Sequence, residues 1–164
     1  MRKTKQLRTA SWIIMVFIGI DPGKSGALMA INDSGKIVCS CPFVRDGYVH
    51  ALSTLSSHFN CKCVVEHVSA MPKQGCVSMF NFGENFGFIR GVLEALKIPY
   101  ELVRPQKWKR VFSCTSDKNT SIEVAKRLFP NAQLMRTSRC RKPDDGIAEA
   151  LLMAEYSRRT QNGI

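Results

Sequence analysis

Acidic residues are scarce in this sequence, which holds 13 Asp and Glu against 24 Lys and Arg and carries a formal net charge of +11 at pH 7. The imbalance is greatest over residues 104–142, which contain eleven basic residues and two acids, and over the first eight residues, which contain four basic residues and no acid. Such charge points to a polyanionic partner or an acidic membrane surface. Its uneven placement favours nucleic acid, because basic contacts to phosphate release counterions. A basic face kept for solubility is the alternative.

Long apolar runs and internal repeats are also missing. No stretch approaches the roughly 20 apolar residues that a membrane-spanning helix needs. The apolar residues 12–18 follow a basic start, as in a signal peptide, but the run is short and has no small-residue cleavage site. We therefore predict a basic arm over residues 1–14, a single folded domain over residues 15–164, and no membrane partner.

Cysteine pairs with the spacing of a zinc site are absent. The seven cysteines include no CxxC pair, and the three histidines share no metal-ligand spacing with them. This pattern argues against zinc and favours reduced, mostly buried thiols in a cytosolic protein. With the basic charge, it predicts a cytoplasmic, nucleoid-associated location.

Hydrophobic patterns and turn signals predict an α/β fold. Val16–Ile20 is a continuous apolar run typical of a central strand, and two further strands follow on either side of the turn at residues 32–35. These three strands form an antiparallel meander, and strands at 61–66 and 99–103 complete a five-stranded mixed sheet. Helices are expected over 48–59, over 78–97, after a cap at Ser116 or Asp117, and from about residue 143 onward.

One predicted helix carries an unusual row of glycines. Gly83, Gly87 and Gly91 recur every four residues and therefore share one helix face. An interior glycine costs a helix up to about 1 kcal/mol relative to alanine, so the row indicates that something packs very close. The neighbour is either another element of the same subunit or a symmetry-related helix in a dimer.

Carboxylates fall where the predicted fold would bring them together. Asp21 follows the first strand and Glu66 ends the fourth, so both emerge at one sheet edge if those strands are parallel neighbours. Asp145 and Glu149 are four residues apart and share a helix face, and Asp144 competes with Asp145 for the same role. Taken singly, Asp21 has an ordinary explanation as a turn former, Glu66 as a solvated strand end, and Asp144 and Asp145 as helix caps. Glu149 is harder to explain in this way, because an unpaired acid on an apolar helix face is costly.

Converging carboxylates repel one another unless a cation joins them. Their oxygen ligands suit Mg²⁺ or Mn²⁺, and two such ions about 3.5–4 Å apart can activate water and stabilise the leaving oxygen of a phosphodiester. An acidic cluster within a basic chain therefore predicts a metal-dependent nuclease.

The same residues carry a family likeness. The segments IGIDPG around Asp21, VVEHV around Glu66, and PDDGIAEALLMA from Pro143 resemble the three acidic motifs of RuvC-type Holliday junction resolvases. The motifs occur in the family's order, the match runs from Met15 to Tyr156, and it is closest to phage or prophage members. The resemblance implies a ribonuclease H-like fold and a homodimer that nicks four-way DNA junctions in pairs with Mg²⁺ or Mn²⁺.

The resemblance also implies roles for individual residues. Asp21, Glu66, Asp145 and Glu149 are expected to be catalytic metal ligands. Relatives often have Asp where Gly146 stands, so either Asp144 or Asp145 takes that place, and helical geometry favours Asp145. Lys118 matches a lysine beside the scissile phosphate, Met71 and Lys73 fall in a loop that probes the junction centre, and the glycine-lined helix is expected at the dimer interface. The remaining DNA-binding candidates are Lys107, Lys109, Arg110, Arg139, Arg141 and Lys142.

Three other functions compete with junction resolution. The segment DPGKSG at residues 21–26 resembles the phosphate-binding turn of the actin and sugar-kinase superfamily, but those proteins use two such domains and this chain is too short for both. A non-catalytic nucleic-acid-binding protein and a nuclease acting on RNA–DNA hybrids or flaps have the same charge pattern. Cleavage substrates distinguish all of these.

Overall fold

A computed structural model describes residues 14–67, 69, 75–161 and 163 of the chain. Its sheet has the strand order β3-β2-β1-β4-β5. Strand β1 pairs antiparallel with β2 and parallel with β4; β2–β3 is antiparallel and β4–β5 is parallel. The predicted five-stranded mixed sheet is therefore confirmed. The strands are β1 (Met15–Ile20), β2 (Ala27–Asn32), β3 (Ile37–Pro42), β4 (Asn60–Glu66) and β5 (Tyr100–Val103).

Five helices flank this sheet: α1 (Arg45–His58), α2 (Cys76–Ala95), α3 (Pro105–Val111), α4 (Lys118–Leu128) and α5 (Asp145–Gln161). Asp117 caps α4, since its side chain accepts a hydrogen bond of 3.0 Å from the Asn119 amide. Pro105 stands in the first turn of α3, where its missing N–H and fixed φ suit a helix start. The basic segment after Pro105 is thus a helix.

Strand β1 is buried on both faces. Val16, Ile18 and Ile20 join the apolar core beneath α1 and α2, while Phe17 joins the core on the α5 side of the sheet. Alternate side chains of a strand point to opposite faces, so an unbroken apolar run is what a central strand covered on both sides requires. This strand therefore lies between the two apolar cores.

Helix α5 crosses β1 at very close range. A Cβ at Gly19 would overlap the backbone of Ala150 and Ala154, so only glycine permits this approach. Ten of the eleven residues from Ile147 to Ser157 are buried to below one-twentieth exposure, with Glu149 the most exposed at 8%. The close crossing brings the first turns of α5 beside the carboxyl end of β1.

The glycine row on α2 faces open space within the described chain. A Cβ added at Gly83, Gly87 or Gly91 would meet nothing within 4 Å, and all three residues are exposed. Close packing by another described element of the same subunit therefore does not explain these glycines. The expected dimer interface stays a prediction.

Other expectations fall outside the described residues. The predicted basic arm lies there except for Ile14, as do Met71 and Lys73. Among the helices that the model describes, none combines the length and apolar character that crossing a bilayer demands.

Candidate active site

Asp21 sits in a tight turn at the carboxyl end of β1. Its backbone N–H donates to the carbonyl of Ala27 over 3.0 Å, and its own Oδ1 accepts a 3.0 Å hydrogen bond from the amide of Gly23. The parallel register aligns Ile20 with Val65, the residues just before Asp21 and Glu66. Both acids therefore leave the sheet at the same edge, as the sequence predicts.

Glu66 is the last residue of β4 and is buried, with 9% of its surface exposed. Its Oε1 accepts a hydrogen bond of 3.0 Å from the indole Nε1–H of Trp108, which lies on α3 and is fully buried. A buried carboxylate needs such donors, because burial removes the water that would otherwise solvate it.

Helix α5 supplies the other two acids. Asp145 is its first residue and pairs with the amino group of Lys118 at the start of α4. Glu149, one turn later, is 8% exposed; its Oε1 lies 2.7 Å from the Lys109 amino group and accepts a hydrogen bond of 3.2 Å from Ser121. Residues i and i+4 share a helix face, which places both carboxylates toward the sheet edge.

The pKa values of the two strand-end acids are both raised. Burial raises the pKa of Asp21 to about 6; the amide of Gly23 opposes this shift, while the charges of Glu149 and Asp145 reinforce it. Burial likewise raises the pKa of Glu66 to about 7. The negative charge of Asp21 adds to this increase, and the hydrogen bond from Trp108 opposes it. The charge of Glu149 thus contributes to the raised pKa of both strand-end acids, and the meeting of all four acids in one metal site stays a prediction.

Asp144 forms an ion pair at the start of α5. Its carboxylate pairs with Arg136 through contacts of 2.8 and 3.0 Å and accepts a 3.0 Å hydrogen bond from the amide of Ile147. Burial alone would raise the pKa of Asp144, but the bonds from Arg136 and Ile147 outweigh it and lower the pKa. Asp144 therefore stabilises the start of α5, whereas Asp145 pairs with Lys118; the preference for Asp145 as the metal ligand stays a prediction.

Arg136 also ties α5 to the turn that carries Asp21. Its guanidinium donates to the carbonyl of Ser25 and, over 3.3 Å, to that of Gly26. The same contact region explains Gly146, because a Cβ there would overlap the carbonyl oxygen of Ser25. An Asp side chain at position 146 therefore has no room beside this turn.

The chemical type of the four carboxylates suits a hard divalent cation. The four acids offer only oxygen ligands, which hard divalent cations prefer. Within the described residues, no three His, Cys, Asp or Glu side chains are spaced to hold an ion as they stand. Lys118 and Lys109 instead neutralise Asp145 and Glu149, so these two carboxylates face ammonium groups.

A buried hydroxyl near Asp21 lacks a partner as well. Tyr48 on α1 is fully buried, and its Oη makes no hydrogen bond within the part of the chain that the structure describes. Burial raises its pKa first, and the negative charge of Asp21 raises it further. A polar atom without a partner beside a carboxylate cluster is consistent with a site that is completed by a bound group.

The basic candidates divide into two groups. Lys109 and Lys118 turn inward to the acids, and Lys107 pairs with Glu101 across 3.1 Å on the surface. The remaining predicted DNA-binding residues with described positions, Arg110, Arg139, Arg141 and Lys142, are exposed. Lys109 and Arg110 also line a groove of about 470 Å³ between α3 and the loop before α4.

Comparisons with known proteins fall into two classes. No family model matches the sequence, and no curated protein sequence is significantly similar to it. Solved structures do match. The complex of Thermus thermophilus RuvC with a Holliday junction substrate superposes with a TM-score of 0.65 at 13% identity, over 91% of this chain and 96% of that one.

The chain has the RuvC fold. A second structure of T. thermophilus RuvC gives a TM-score of 0.56 at 17% identity, covering 89% of this chain and 97% of that one. The yeast mitochondrial Holliday junction resolvase gives 0.50 at 16% identity, covering 88% and 78% respectively. The likeness first suggested by three short acidic motifs is therefore confirmed at the level of the RuvC fold.

Some residues of the site escaped prediction from the sequence. Three of them donate hydrogen bonds to acidic side chains. Trp108 bonds Glu66, which is 42 residues away in the sequence; Ser121 bonds Glu149, 28 residues away; and Arg136 bonds Asp144, 8 residues away. One signal was available for Trp108: an indole in a basic, otherwise polar segment implies a buried partner for its N–H. Ser121 and Arg136 have no such local signature.

Proposed function

We propose that this protein is a metal-dependent endonuclease that resolves four-way DNA junctions. The observation that carries the proposal is that the parallel strands β1 and β4 bring Asp21 and Glu66 to one sheet edge of a strongly basic chain. A protein of the same fold, T. thermophilus RuvC, was solved with a Holliday junction substrate. Fold and acidic cluster support the same chemistry independently.

Asp21, Glu66, Asp145 and Glu149 would hold Mg²⁺ or Mn²⁺, with two ions per site. Bound there, the ions would lower the pKa of a water molecule and stabilise the leaving oxygen of the phosphodiester. Lys118 and Lys109 pair with Asp145 and Glu149 and thereby reduce the repulsion between the acids. Ions held by these carboxylates would take over that role and leave the two lysines available to phosphate.

The chain's own residues supply binding and orientation. Lys118 is largely exposed while its amino group contacts Asp145, so the same side chain can reach a phosphate beside the acids. Exposed basic residues, including Arg110 and the run at 139–142, would bind the DNA backbone through charge. Affinity of this kind is independent of the acids, which predicts binding without cleavage in acid-to-amide variants.

Paired nicking of a junction calls for two active sites, and we propose that a homodimer provides them. The open glycine face of α2 supports this arrangement, because Gly83, Gly87 and Gly91 allow a second helix to approach closely and nothing in the described chain occupies that space. A cytoplasmic, nucleoid-associated location is part of the same proposal, given the basic charge.

The decisive experiment compares substrates and variants. Purified protein with Mg²⁺ or Mn²⁺ is mixed with a labelled four-way junction and, separately, with linear duplex, flap and RNA–DNA hybrid. We expect symmetric nicks in the junction alone, lost in Asp21→Asn and Glu66→Gln while junction binding persists. Asp46→Asn, which alters an exposed acid on α1, is the matched control and should cut normally.

Each contrary outcome has a definite meaning. Equal cutting of all substrates contradicts junction selectivity and leaves a nuclease. Preferential cutting of hybrids or flaps replaces the proposed substrate, and junction binding without metal-dependent cutting indicates a non-catalytic binding protein.

A further inference from the structure

Trp108 makes a contact that packing alone does not require. It is the bulkiest of the fully buried side chains and belongs to the core on the α5 side of the sheet. Its indole N–H points to Oε1 of Glu66 at 3.0 Å and thus reaches out of the apolar core to the acidic cluster. A buried indole N–H needs an acceptor, and a charged acceptor makes the bond stronger than a neutral one would.

The helix that carries Trp108 connects two of the acids. Lys109, the next residue, places its amino group 2.7 Å from Glu149 on α5 and 5.2 Å from the centre of the Trp108 ring. Neighbouring residues of α3 therefore contact an acid of β4 and an acid of α5. Since the core holds Trp108 on every side, its N–H is a fixed reference point for the Glu66 carboxylate.

We propose that Trp108 is a positioning residue of the metal site: its indole N–H holds Oε1 of Glu66 and leaves Oε2 to bind the cation. The inference rests on the proposed function, because it requires the acids to be metal ligands. An N–H donor behind a ligand carboxylate fixes the direction in which that carboxylate presents its free oxygen. Loss of such an outer partner commonly weakens metal binding about 10- to 100-fold.

The competing explanation is that Glu66 simply satisfies a core indole. The two explanations differ in what a variant without the N–H loses. Trp108→Phe keeps an aromatic ring in the core and removes the donor. Phe112→Leu provides the matched control, because Phe112 belongs to the same core at the end of α3 and has no bond to Glu66.

The first measurement is Mn²⁺ binding to the intact protein without DNA, by calorimetry or by electron paramagnetic resonance. For Trp108→Phe we expect an Mn²⁺ affinity about 10-fold weaker than wild type. Junction affinity in the presence of chelator should be unchanged. Phe112→Leu should lower the melting temperature and keep the wild-type Mn²⁺ affinity. Wild-type Mn²⁺ affinity in Trp108→Phe, or an equal loss in Phe112→Leu, overturns the positioning role.

Cleavage gives a second test with the same variants. Because the effect is on metal binding, Trp108→Phe should need more Mn²⁺ for half-maximal cutting and approach the wild-type rate at saturating Mn²⁺. A rate that stays low at all Mn²⁺ concentrations contradicts this account.

A spectroscopic test covers the case in which Trp108→Phe does not fold. The chain has two tryptophans, so Trp12→Phe leaves Trp108 as the single indole. Its Nε1–H resonance in a ¹H–¹⁵N spectrum should shift as Mg²⁺ is added, and Glu66→Gln should abolish that response. An indole resonance that ignores Mg²⁺ in otherwise wild-type protein overturns the inference.

These outcomes separate the positioning role from the proposed function. Wild-type protein that binds Mn²⁺ and cuts no junction overturns junction resolution and leaves Trp108 as a positioning residue. Wild-type protein that cuts junctions, with Trp108→Phe unaltered in metal dependence, overturns the inference alone. Wild-type protein without Mn²⁺ binding overturns both.

Discussion

The amino group of Lys109 lies 2.7 Å from Oε1 of Glu149, and the two side chains are only 18% and 10% exposed. A largely buried ion pair of this kind is strongly destabilised when one partner is removed, because the other charge is left without compensation. Its position within the acidic cluster makes Lys109 the internal cation of the metal-free site.

Replacing Lys109 should therefore destabilise the protein most when no metal is present. In the presence of chelator, we expect the free energy of unfolding of Lys109→Met to be about 2 kcal/mol lower than that of wild type. This corresponds to a melting temperature about 4–8 °C lower. Added Mn²⁺ should recover part of this loss and stabilise the variant more than wild type, because the ion replaces the missing charge. Thermal unfolding with and without Mn²⁺ measures both effects, and identical Mn²⁺ responses in the two proteins would contradict the idea.

Junction affinity should depend unequally on the basic residues of α3. Arg110 is exposed, whereas Lys107 already pairs with Glu101 at 3.1 Å. We expect Arg110→Ala to weaken junction binding and reduce the slope of log affinity against log salt by about 1, with a smaller effect for Lys107→Ala. Titrations at several salt concentrations test this.

The matched control for these titrations is Lys36→Ala. Lys36 is exposed in the turn between β2 and β3, at the sheet edge opposite Asp21, and its replacement should leave the salt slope unchanged. If replacing Lys36 or Lys107 reduced the salt slope more than replacing Arg110 does, the DNA would bind to another face of the protein.

The glycine face of α2 gives a test of assembly. Because a side chain at position 87 meets nothing in the described chain, Gly87→Leu should fold and be slightly more stable as a monomer. If α2 packs against its copy, the same substitution should separate the dimer and abolish paired nicking. Analytical ultracentrifugation measures the mass, and Thr54→Leu, on an exposed position of α1, is the control. If Gly87→Leu remains a dimer, the dimer interface does not include this face of α2.

Acid should weaken the fold through Glu155, far along α5 from the acidic cluster. Burial alone would raise its pKa, but the contacts from Arg158 and Arg159, at 2.7 and 2.8 Å, lower it below the ordinary 4.5. A lowered folded-state pKa means that the stabilisation is present above pH 4.5 and is lost as pH falls through the folded value.

Glu155→Gln removes this contribution at every pH. We expect a loss of about 2 kcal/mol at neutral pH, shrinking toward zero in acid where Glu155 of the wild type is itself protonated. Urea unfolding across the acidic range measures the difference between the two proteins. A difference that does not change with pH would assign the effect to packing.

Local sequence patterns predicted most of the fold. The unbroken apolar run of β1 requires cover on both faces, and the turn at residues 32–35 directs β2 into β3. The prediction that Asp21 and Glu66 meet followed from one topological step, the parallel pairing of β1 with β4. By contrast, the sequence did not show what packs against the glycine row of α2, because the residues of one helix face do not specify which element covers that face.

The apolar run of β1, the turn at residues 32–35 and the i, i+4 spacing of Asp145 and Glu149 are properties of near neighbours in the chain, and the sequence by itself determined them. The parallel pairing of β1 with β4, which brings Asp21 and Glu66 to one sheet edge, joins distant segments and was decided by the tertiary structure. Tertiary structure alone decided that Arg136 takes Asp144, that Lys109 neutralises Glu149 and that Trp108 bonds Glu66. These choices depend on which buried groups meet across long stretches of chain. Whether a given side chain caps a helix, neutralises a buried acid or supports a ligand therefore depends on which partner the fold places beside it.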